Sequence, residues 1–264
     1  MRKLVVIADD LGYCEGYNLG MAKAFDAGFI TTTAIFVNTE FAQHGVNLAK
    51  DRGMFMTLHM NMIIGKCCAD PREIPSIVKP DGSFYLSREY APDARNPKPS
   101  TGTRIADKDD FKREAIAQME RFKVLTGEYP IHMEVHSIMS ENIYDGLTEL
   151  SEEFGIHVSR YNALPQKGFL AVNDLAFTNP EYGPILESGS RLEYWLDDKY
   201  GILDAEGDII LTHFHPGYLE AYIMETSSLT TPRCLDQQTL QDPRLKLWAK
   251  DNDIELVPFS AAKI

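Results

Sequence analysis

Short apolar runs alternate along the chain with longer stretches in which apolar residues recur every three or four positions. Residues 4–8 form an uninterrupted apolar run, as in strands that are buried on both faces. Residues 108–125 differ, because Phe111, Ala115, Met119 and Phe122 mark the apolar side of a helix. The whole pattern predicts strands at 4–8, 31–37, 54–59, 130–136, 156–160 and 209–215, and helices at 18–27, 41–51, 108–125 and 142–154.

Two adjacent carboxylates, Asp9 and Asp10, stand where the first predicted strand ends, and Gly12 then permits a sharp turn. Adjacent residues of a strand point in different directions, so one carboxylate could bind a metal while the other accepts a proton. Burying two such acids without a partner or a metal would be costly. Taken alone, the motif is equally compatible with an acid pair in a loop or at a helix N-cap.

Histidines mark the ends of three further predicted strands. A single histidine is usually a structural residue, but histidines at three strand ends, together with the Asp-Asp pair at a fourth, favour a shared site. In the run at 130–136, the side chains of His132, Glu134 and His136 share one face because strands alternate with a period of two. Five of the seven histidines lie in these contexts: His59, His132, His136, His213 and His215.

The order of the predicted elements indicates the fold class. Alternating strands and helices are typical of βα units, whose strands form a parallel sheet. Catalytic groups at the carboxyl ends of several strands are typical of a closed or nearly closed barrel. We therefore expect one α/β domain, a (β/α) barrel of parallel strands spanning residues 1–264, since neither an internal repeat nor a second domain boundary is visible.

One segment, at about residues 65–103, breaks this pattern because it contains six prolines and few periodic apolar runs. It follows His59 directly, so we expect an irregular insertion or lid at the mouth of the site, where Phe84 and Tyr85 could stack on a ring of the substrate. A solvated insertion or a contact in a homodimer is the alternative. Tyr218 and Arg233 are further candidates for substrate binding, with packing or surface roles as their alternatives.

These motifs resemble those of the YdjC-like carbohydrate deacetylases, the family of the chito-oligosaccharide deacetylases within the polysaccharide deacetylase superfamily. The resemblance covers nearly the whole chain. The family's Ala-Asp-Asp-Phe-Gly opening stands here at residues 8–12 with Leu11 in place of Phe, and its Leu-His motif is at 58–59. Its His-Leu-Asp-Ser-His-His motif is at 132–137 with Glu134 and Ser137 as replacements, and His-Pro-Gly is at 215–217.

The resemblance implies a distorted (β/α) barrel that removes acetyl groups from N-acetylated sugars or small oligosaccharides by cleaving an amide C–N bond. The family's metal ligands fall on Asp10, His59 and His136, and the catalytic base falls on Asp9. We expect His215 to protonate the leaving amine; His213 shares its strand face but lacks the motif match. The family is usually described with Mg²⁺, whereas nitrogen ligands favour Zn²⁺, Ni²⁺ or Co²⁺.

Composition narrows the choice of partners. The formal net charge of −13 argues against nucleic acid and anionic membranes and favours neutral or cationic sugars as substrates. The four cysteines form no Cys-x-x-Cys pair, and no apolar run is long enough for a signal segment or a membrane span. We therefore expect a cytoplasmic enzyme with reduced thiols that acts on a small, imported substrate.

Two other functions are compatible with a metal site on a barrel. A hydrolase of cyclic amides or phosphoesters is one, although such barrels often carry His-x-His on the first strand, where this chain has Asp-Asp. A non-catalytic sugar-binding protein is the other, but it would be expected to have lost a ligand or the base. All of the residues that match the family's ligands and base are retained.

Overall fold

The structure, a computed structural model, describes residues 1–95, 101–159 and 165–264. Its strands run parallel wherever they pair, in the order β5-β4-β3-β2-β1-β7-β6 with β8 beside β1. They are β1 (Arg2–Leu11), β2 (Thr32–Ile35), β3 (Phe55–Met60), β4 (His132–Val135), β5 (His157–Val158), β6 (Val172–Asp174), β7 (Ile209–Phe214) and β8 (Ile254–Leu256). The expected parallel α/β architecture is confirmed.

The sheet curls into a half-barrel, with β5 and β6 as its outer strands. Within the described ranges no ladder joins β5 to β6, so the barrel remains open on that side. The central strand β1 is buried on both faces: Val5 and Ile7 pack into the apolar interior of the curl, while Leu4 and Val6 pack outwards. This two-sided burial is the reason for the uninterrupted apolar run in the sequence.

The helices predicted from periodicity are present, with ends set by local capping. The longest one follows Asp107, whose side chain accepts hydrogen bonds from two backbone N–H groups of its first turn, and it ends at Gly127 with φ of 109°. The helices are α1 (Glu15–Asp26), α2 (Ala42–Arg52), α3 (Lys108–Thr126), α4 (Glu141–Phe154), α5 (Leu175–Thr178), α6 (Tyr182–Ser188), α7 (Leu192–Leu196), α8 (Ala221–Thr226), α9 (Thr231–Thr239) and α10 (Arg244–Asp251). In the described parts of the chain, none is long and apolar enough to cross a membrane.

The proline-rich segment after β3 has little regular structure in its described part. It contains two single-turn 3₁₀ helices, Pro71–Glu73 and Ser87–Glu89. Ile74, Ile77 and Phe84 are nevertheless buried in the main apolar core. The described part of the segment is therefore anchored to the barrel by its own side chains. Residues 96–100 of this segment, and residue 160 of the predicted fifth strand, lie outside the described residues.

Candidate active site

The chemically active side chains converge because the strands that carry them are neighbours in a parallel sheet. In the ladders, His59 on β3 is opposite Glu134 on β4, and Ile7 on β1 is opposite His213 on β7. The carboxyl ends of these strands therefore meet at one edge, where Asp9 follows Ile7 by two residues. This edge is the mouth of the half-barrel, and ligands of open α/β sheets usually bind there.

The backbone at the end of β1 brings both carboxylates of the Asp-Asp pair to this mouth. Asp10 has a φ of 71°, in the left-handed region that non-glycine residues rarely adopt, and the pairing with β2 is irregular between Ala8 and Leu11. A residue held in such a conformation costs on the order of 1–3 kcal/mol and persists where the surroundings enforce it. The irregularity breaks the strand alternation, so that Asp9 and Asp10 both face the site.

Three atoms at this mouth form a small triangle. Asp10 Oδ1 lies 3.1 Å from His59 Nε2 and 3.0 Å from His136 Nδ1, and the two ring nitrogens are 3.1 Å apart. Yet among the described residues Asp10 Oδ1 has no hydrogen-bond partner with acceptable angles. The three atoms are therefore close enough together to ligate one metal ion.

Two buried side chains hold the triangle in place. Arg233 of α9 donates from Nη1 to Asp10 Oδ2 at 2.7 Å. Burial alone would raise the pKa of Asp10, but His136 and Arg233 hold it well below its usual range, so the group is ionised. Phe36, which follows β2, stacks on the His59 ring at 5.2 Å between centroids and meets the His136 ring edge-on at 4.9 Å.

A second cluster lies beside the triangle and is centred on His213. Its Nε2 is 3.1 Å from both carboxylate oxygens of Asp174, while its Nδ1 is 2.9 Å from Glu134 Oε2 and 3.4 Å from Asp9 Oδ2. Burial alone would lower the pKa of His213, but the three carboxylates raise it well above its usual value. His213 is therefore a protonated, positively charged ring at the centre of three acids.

Asp9 lies beside the triangle but is grouped with Glu134 and His213. Burial, and then the neighbouring charge of Glu134, raise the pKa of its carboxyl to about 7. Its backbone carbonyl accepts a hydrogen bond of 2.9 Å from the Tyr17 hydroxyl. The Tyr17 ring in turn packs against Gly217, where an added Cβ would lie 2.0 Å from the ring. The glycine of the His-Pro-Gly motif thus makes room for the residue that holds Asp9.

His215 follows the last residue of β7 and lies close to Asp9. Its Nε2 is 3.9 Å from Asp9 Oδ2, and its backbone N–H donates to the buried carboxylate of Asp236 at 2.8 Å. The ring nitrogen Nδ1 is buried, and no hydrogen-bond partner for it is found among the described residues. The ring is therefore held beside the site by its backbone rather than by hydrogen bonds to its own nitrogens.

The other residues singled out in the sequence lie in different surroundings. Phe84 is 3% exposed and packs in the core, which leaves its ring no open face for a sugar. The Tyr85 ring is covered by the Arg104 guanidinium at 3.3 Å from its centroid. Tyr218 is 37% exposed. Arg233 is buried, and its guanidinium donates a hydrogen bond to the carboxylate of Asp10.

The structure also separates His132 from the residues with which it shares a strand face. Its ring stacks on Phe259 inside the half-barrel, and its Nδ1 is 3.0 Å from His157 Nδ1, so it lies away from the triangle. Conversely, sequence reasoning missed Asp174 because β6 is only three residues long. The signal that could have found it is an acid close after a short apolar stretch, since only Asn173 separates Asp174 from the apolar residues 169–172.

Comparisons with known proteins agree with this geometry. The chain is 29% identical over 262 residues to "Carbohydrate deacetylase 2" of Listeria innocua, with 97% of each chain covered. It is 26% identical to a carbohydrate deacetylase of Clostridium beijerinckii, with 97% of this chain and 98% of the relative covered. A solved structure from Enterococcus faecalis, described as a "putative cellobiose-phosphate cleavage protein", has a TM-score of 0.78 at 15% identity and covers 100% of this chain and 99% of its own.

That structural likeness shows the fold alone because the identity is low, but the sequence comparison goes further. The family model described as "YdjC-like protein" matches residues 3–251, which include every strand of the half-barrel except the last. The match spans all the residues of the triangle and of the cluster around His213. The chain therefore belongs to the YdjC-like family.

Proposed function

We propose that this chain is a metal-dependent carbohydrate deacetylase, which hydrolyses the acetyl amide of small N-acetylated sugars. The observation that carries the proposal is the triangle of Asp10, His59 and His136 with a second, separate carboxylate, Asp9, beside it. A hydrolase of this type needs a site for an ion and an independent base for water. The names of the relatives in Listeria and Clostridium support the same reaction.

The triangle fits a divalent ion in both size and charge. Two atoms about 2.1 Å from one ion lie about 3.0 Å apart when their bonds are perpendicular, and the three edges measure 3.0 to 3.1 Å. Four buried carboxylates also lie at the mouth, and a divalent ion would offset part of their negative charge. They are Asp9, Asp10, Glu134 and Asp174.

The identity of the ion follows less directly from the ligands. Perpendicular bonds suit the octahedral preference of Mg²⁺, in line with the usual description of the family. Two imidazole nitrogens favour Zn²⁺ or another transition metal. We therefore propose one divalent ion, with Mg²⁺ and Zn²⁺ as the first two to test.

When bound, a divalent ion would lower the pKa of water and polarise the acyl oxygen of the substrate. The residues of the chain would handle the protons. Asp9 would accept the proton of the attacking water, since its carboxylate is beside the triangle but outside it. His215 would deliver a proton to the departing amine, because an amine leaves poorly unless it is protonated. Burial holds the pKa of His215 well below its usual value, so the ring would take up that proton during the reaction, and Asp9 Oδ2 lies 3.9 Å from its Nε2. Arg233 would keep Asp10 ionised and oriented.

We further propose that the substrate is a small acetylated sugar inside the cell. All four cysteines are free thiols, one of them exposed, a state that a reducing compartment maintains. The net charge of −13 favours a neutral or cationic sugar over a polyanion. Fractionation of cells that express the natural protein would test the location.

Acetate release tests the activity directly. The purified chain would be incubated with N-acetylglucosamine and chito-oligosaccharides of increasing length, first as isolated, then with a chelator, then with Mg²⁺ or Zn²⁺ restored. We expect release that the chelator abolishes and the metal restores. Hydrolysis of a phosphoester or a cyclic amide but not of these sugars would overturn the proposal, as would sugar binding without release.

A further inference from the structure

Glu134, which stands where the family motif has Asp, faces two histidine rings at once. It is 4% exposed, and its strand β4 pairs with β3 so that it lies directly opposite His59. Oε1 is 3.3 Å from His59 Nδ1, and Oε2 is 2.9 Å from His213 Nδ1. One carboxylate thus lies between the candidate metal ligands and the second cluster.

Glu134 contacts His59 at Nδ1, which is the ring nitrogen that does not belong to the triangle. His59 contributes Nε2 to the triangle, so in the neutral ring its proton must lie on Nδ1. His59 Nδ1 and Glu134 Oε1 are both buried, and within the described residues neither has any other hydrogen-bond partner. A donor and an acceptor that face each other in this way satisfy each other after a small rotation of the ring.

The other oxygen of the carboxylate is fixed independently. His213 holds Oε2, and His213 is itself held from behind by Asp174, which accepts a further hydrogen bond of 2.6 Å from the Ser159 hydroxyl. Glu134 therefore cannot turn freely in the site. An Asp side chain is one methylene shorter, so from the same backbone position it could not keep both contacts.

We propose that Glu134 is a positioning residue, which accepts the Nδ1 proton of His59 and so presents Nε2 to the metal. Carboxylates that accept a hydrogen bond from a metal-binding histidine fix its tautomer and ring orientation, and their loss typically weakens metal binding about 10–100-fold. The inference rests on the proposed function, because it takes the triangle as the metal site. It adds a structural link between that site and His213, so that the two clusters act as one unit.

The test measures metal affinity and ring tautomer rather than turnover. Zn²⁺ affinity would be determined by competition with a chromogenic chelator for the wild-type protein and for Glu134→Ala, Glu134→Asp and Glu134→Gln. We expect a loss of about 10–100-fold for the first two variants. Glutamine keeps the length but has only one acceptor oxygen, so Glu134→Gln can accept from His59 Nδ1 or from His213 Nδ1 but not from both, and its affinity should lie between those of Glu134→Ala and the wild type.

Nitrogen NMR of labelled histidine would report the tautomer of His59 in the Zn²⁺-loaded protein. We expect the hydrogen-bonded Nδ1–H signal in the wild type, and an altered Nδ1 signal in Glu134→Ala and Glu134→Asp. Glu114→Gln is the matched control, because Glu114 is also buried but accepts its hydrogen bonds from the backbone of Cys68 and Ala69 and from Gln118 Nε2. Its Zn²⁺ affinity should equal that of the wild type.

The outcomes separate this inference from the function on which it rests. Wild-type affinity and an unchanged His59 signal in Glu134→Ala would overturn the role of Glu134 alone. If Glu134→Ala does not fold, the same two measurements on Glu134→Asp decide whether Glu134 has this role. A wild-type protein that binds no divalent ion at all would overturn the metal site and this inference together.

Discussion

Replacing Arg233 by methionine should destabilise the protein strongly when no metal is present. Arg233 is 1% exposed, and its Nη1 lies 2.7 Å from Asp10 Oδ2, while Asp10 itself is fully buried. Methionine fills much of the same space but leaves the carboxylate without its cation. Breaking a buried ion pair by removing one partner typically costs about 3–5 kcal/mol, because the remaining charge is buried and uncompensated.

The same reasoning predicts that a divalent ion reduces the loss. An ion beside Asp10 Oδ1 would replace part of the positive charge that the variant lacks, so the native state of Arg233→Met should gain more from metal than that of the wild type. Urea denaturation followed by circular dichroism, in chelator and in saturating Zn²⁺, measures both effects. We expect the difference between variant and wild type to shrink when Zn²⁺ is present.

An exposed ion pair provides the control. Arg72 bonds to Asp70 with 87% of its side chain exposed, so Arg72→Met should change the free energy of unfolding by less than about 1 kcal/mol. The reasoning fails if Arg233→Met in chelator loses no more stability than Arg72→Met. It also fails if Zn²⁺ leaves the difference between Arg233→Met and the wild type unchanged.

Four further predictions concern single residues of the site. His59→Ala should lose the metal because two ligands hold an ion poorly; stoichiometric metal by plasma mass spectrometry would contradict the assignment. Asp9→Asn should keep the metal but lower kcat roughly 10²–10⁴-fold, and near-normal turnover would exclude its role as base. His215→Ala should lower amide hydrolysis by roughly 10²–10⁴-fold but spare an activated acetate ester, whose leaving group needs no proton; equal losses would count against the acid role. Burial raises the pKa of Asp236 from 3.8 to about 7, so its contribution to stability is full below pH 4 and declines towards pH 7. In denaturation at several pH values, Asp236→Asn should lack this decline, of up to about 4 kcal/mol; an identical profile would refute it.

The sequence predicted the strands and helices whose apolar pattern extends over enough residues to be recognised. The apolar run of β1 and the periodicity of α3 each reflect burial that repeats over many residues, and both elements lie where they were expected. The helices α5 to α10 and the strands β6 and β8 have at most nine residues each, too few for a period to be recognised. Their positions are fixed by packing against the rest of the barrel.

The site was predictable to a similar degree. Asp9, Asp10, His59 and His136 could be grouped because parallel strands bring their carboxyl ends together. The ion pair between Arg233 and Asp10 could not be predicted, since it joins residues 223 positions apart through the packing of α9. The left-handed conformation of Asp10 is likewise a tertiary effect, because a non-glycine residue adopts it only when the surroundings enforce it.

The irregular end of β1 also determines whether the distance between Asp9 and Asp10 changes when other parts of the chain move. Since Asp9 and Asp10 are consecutive, a single peptide unit fixes their Cα atoms about 3.8 Å apart. That unit belongs to β1, which is buried from Leu4 to Leu11, and buried core strands typically open only with the whole molecule. A change in the loops around the mouth could therefore alter which substrates fit without altering the spacing between Asp9 and Asp10. A designer could exchange those loops to alter substrate range while leaving the Asp-Asp pair untouched.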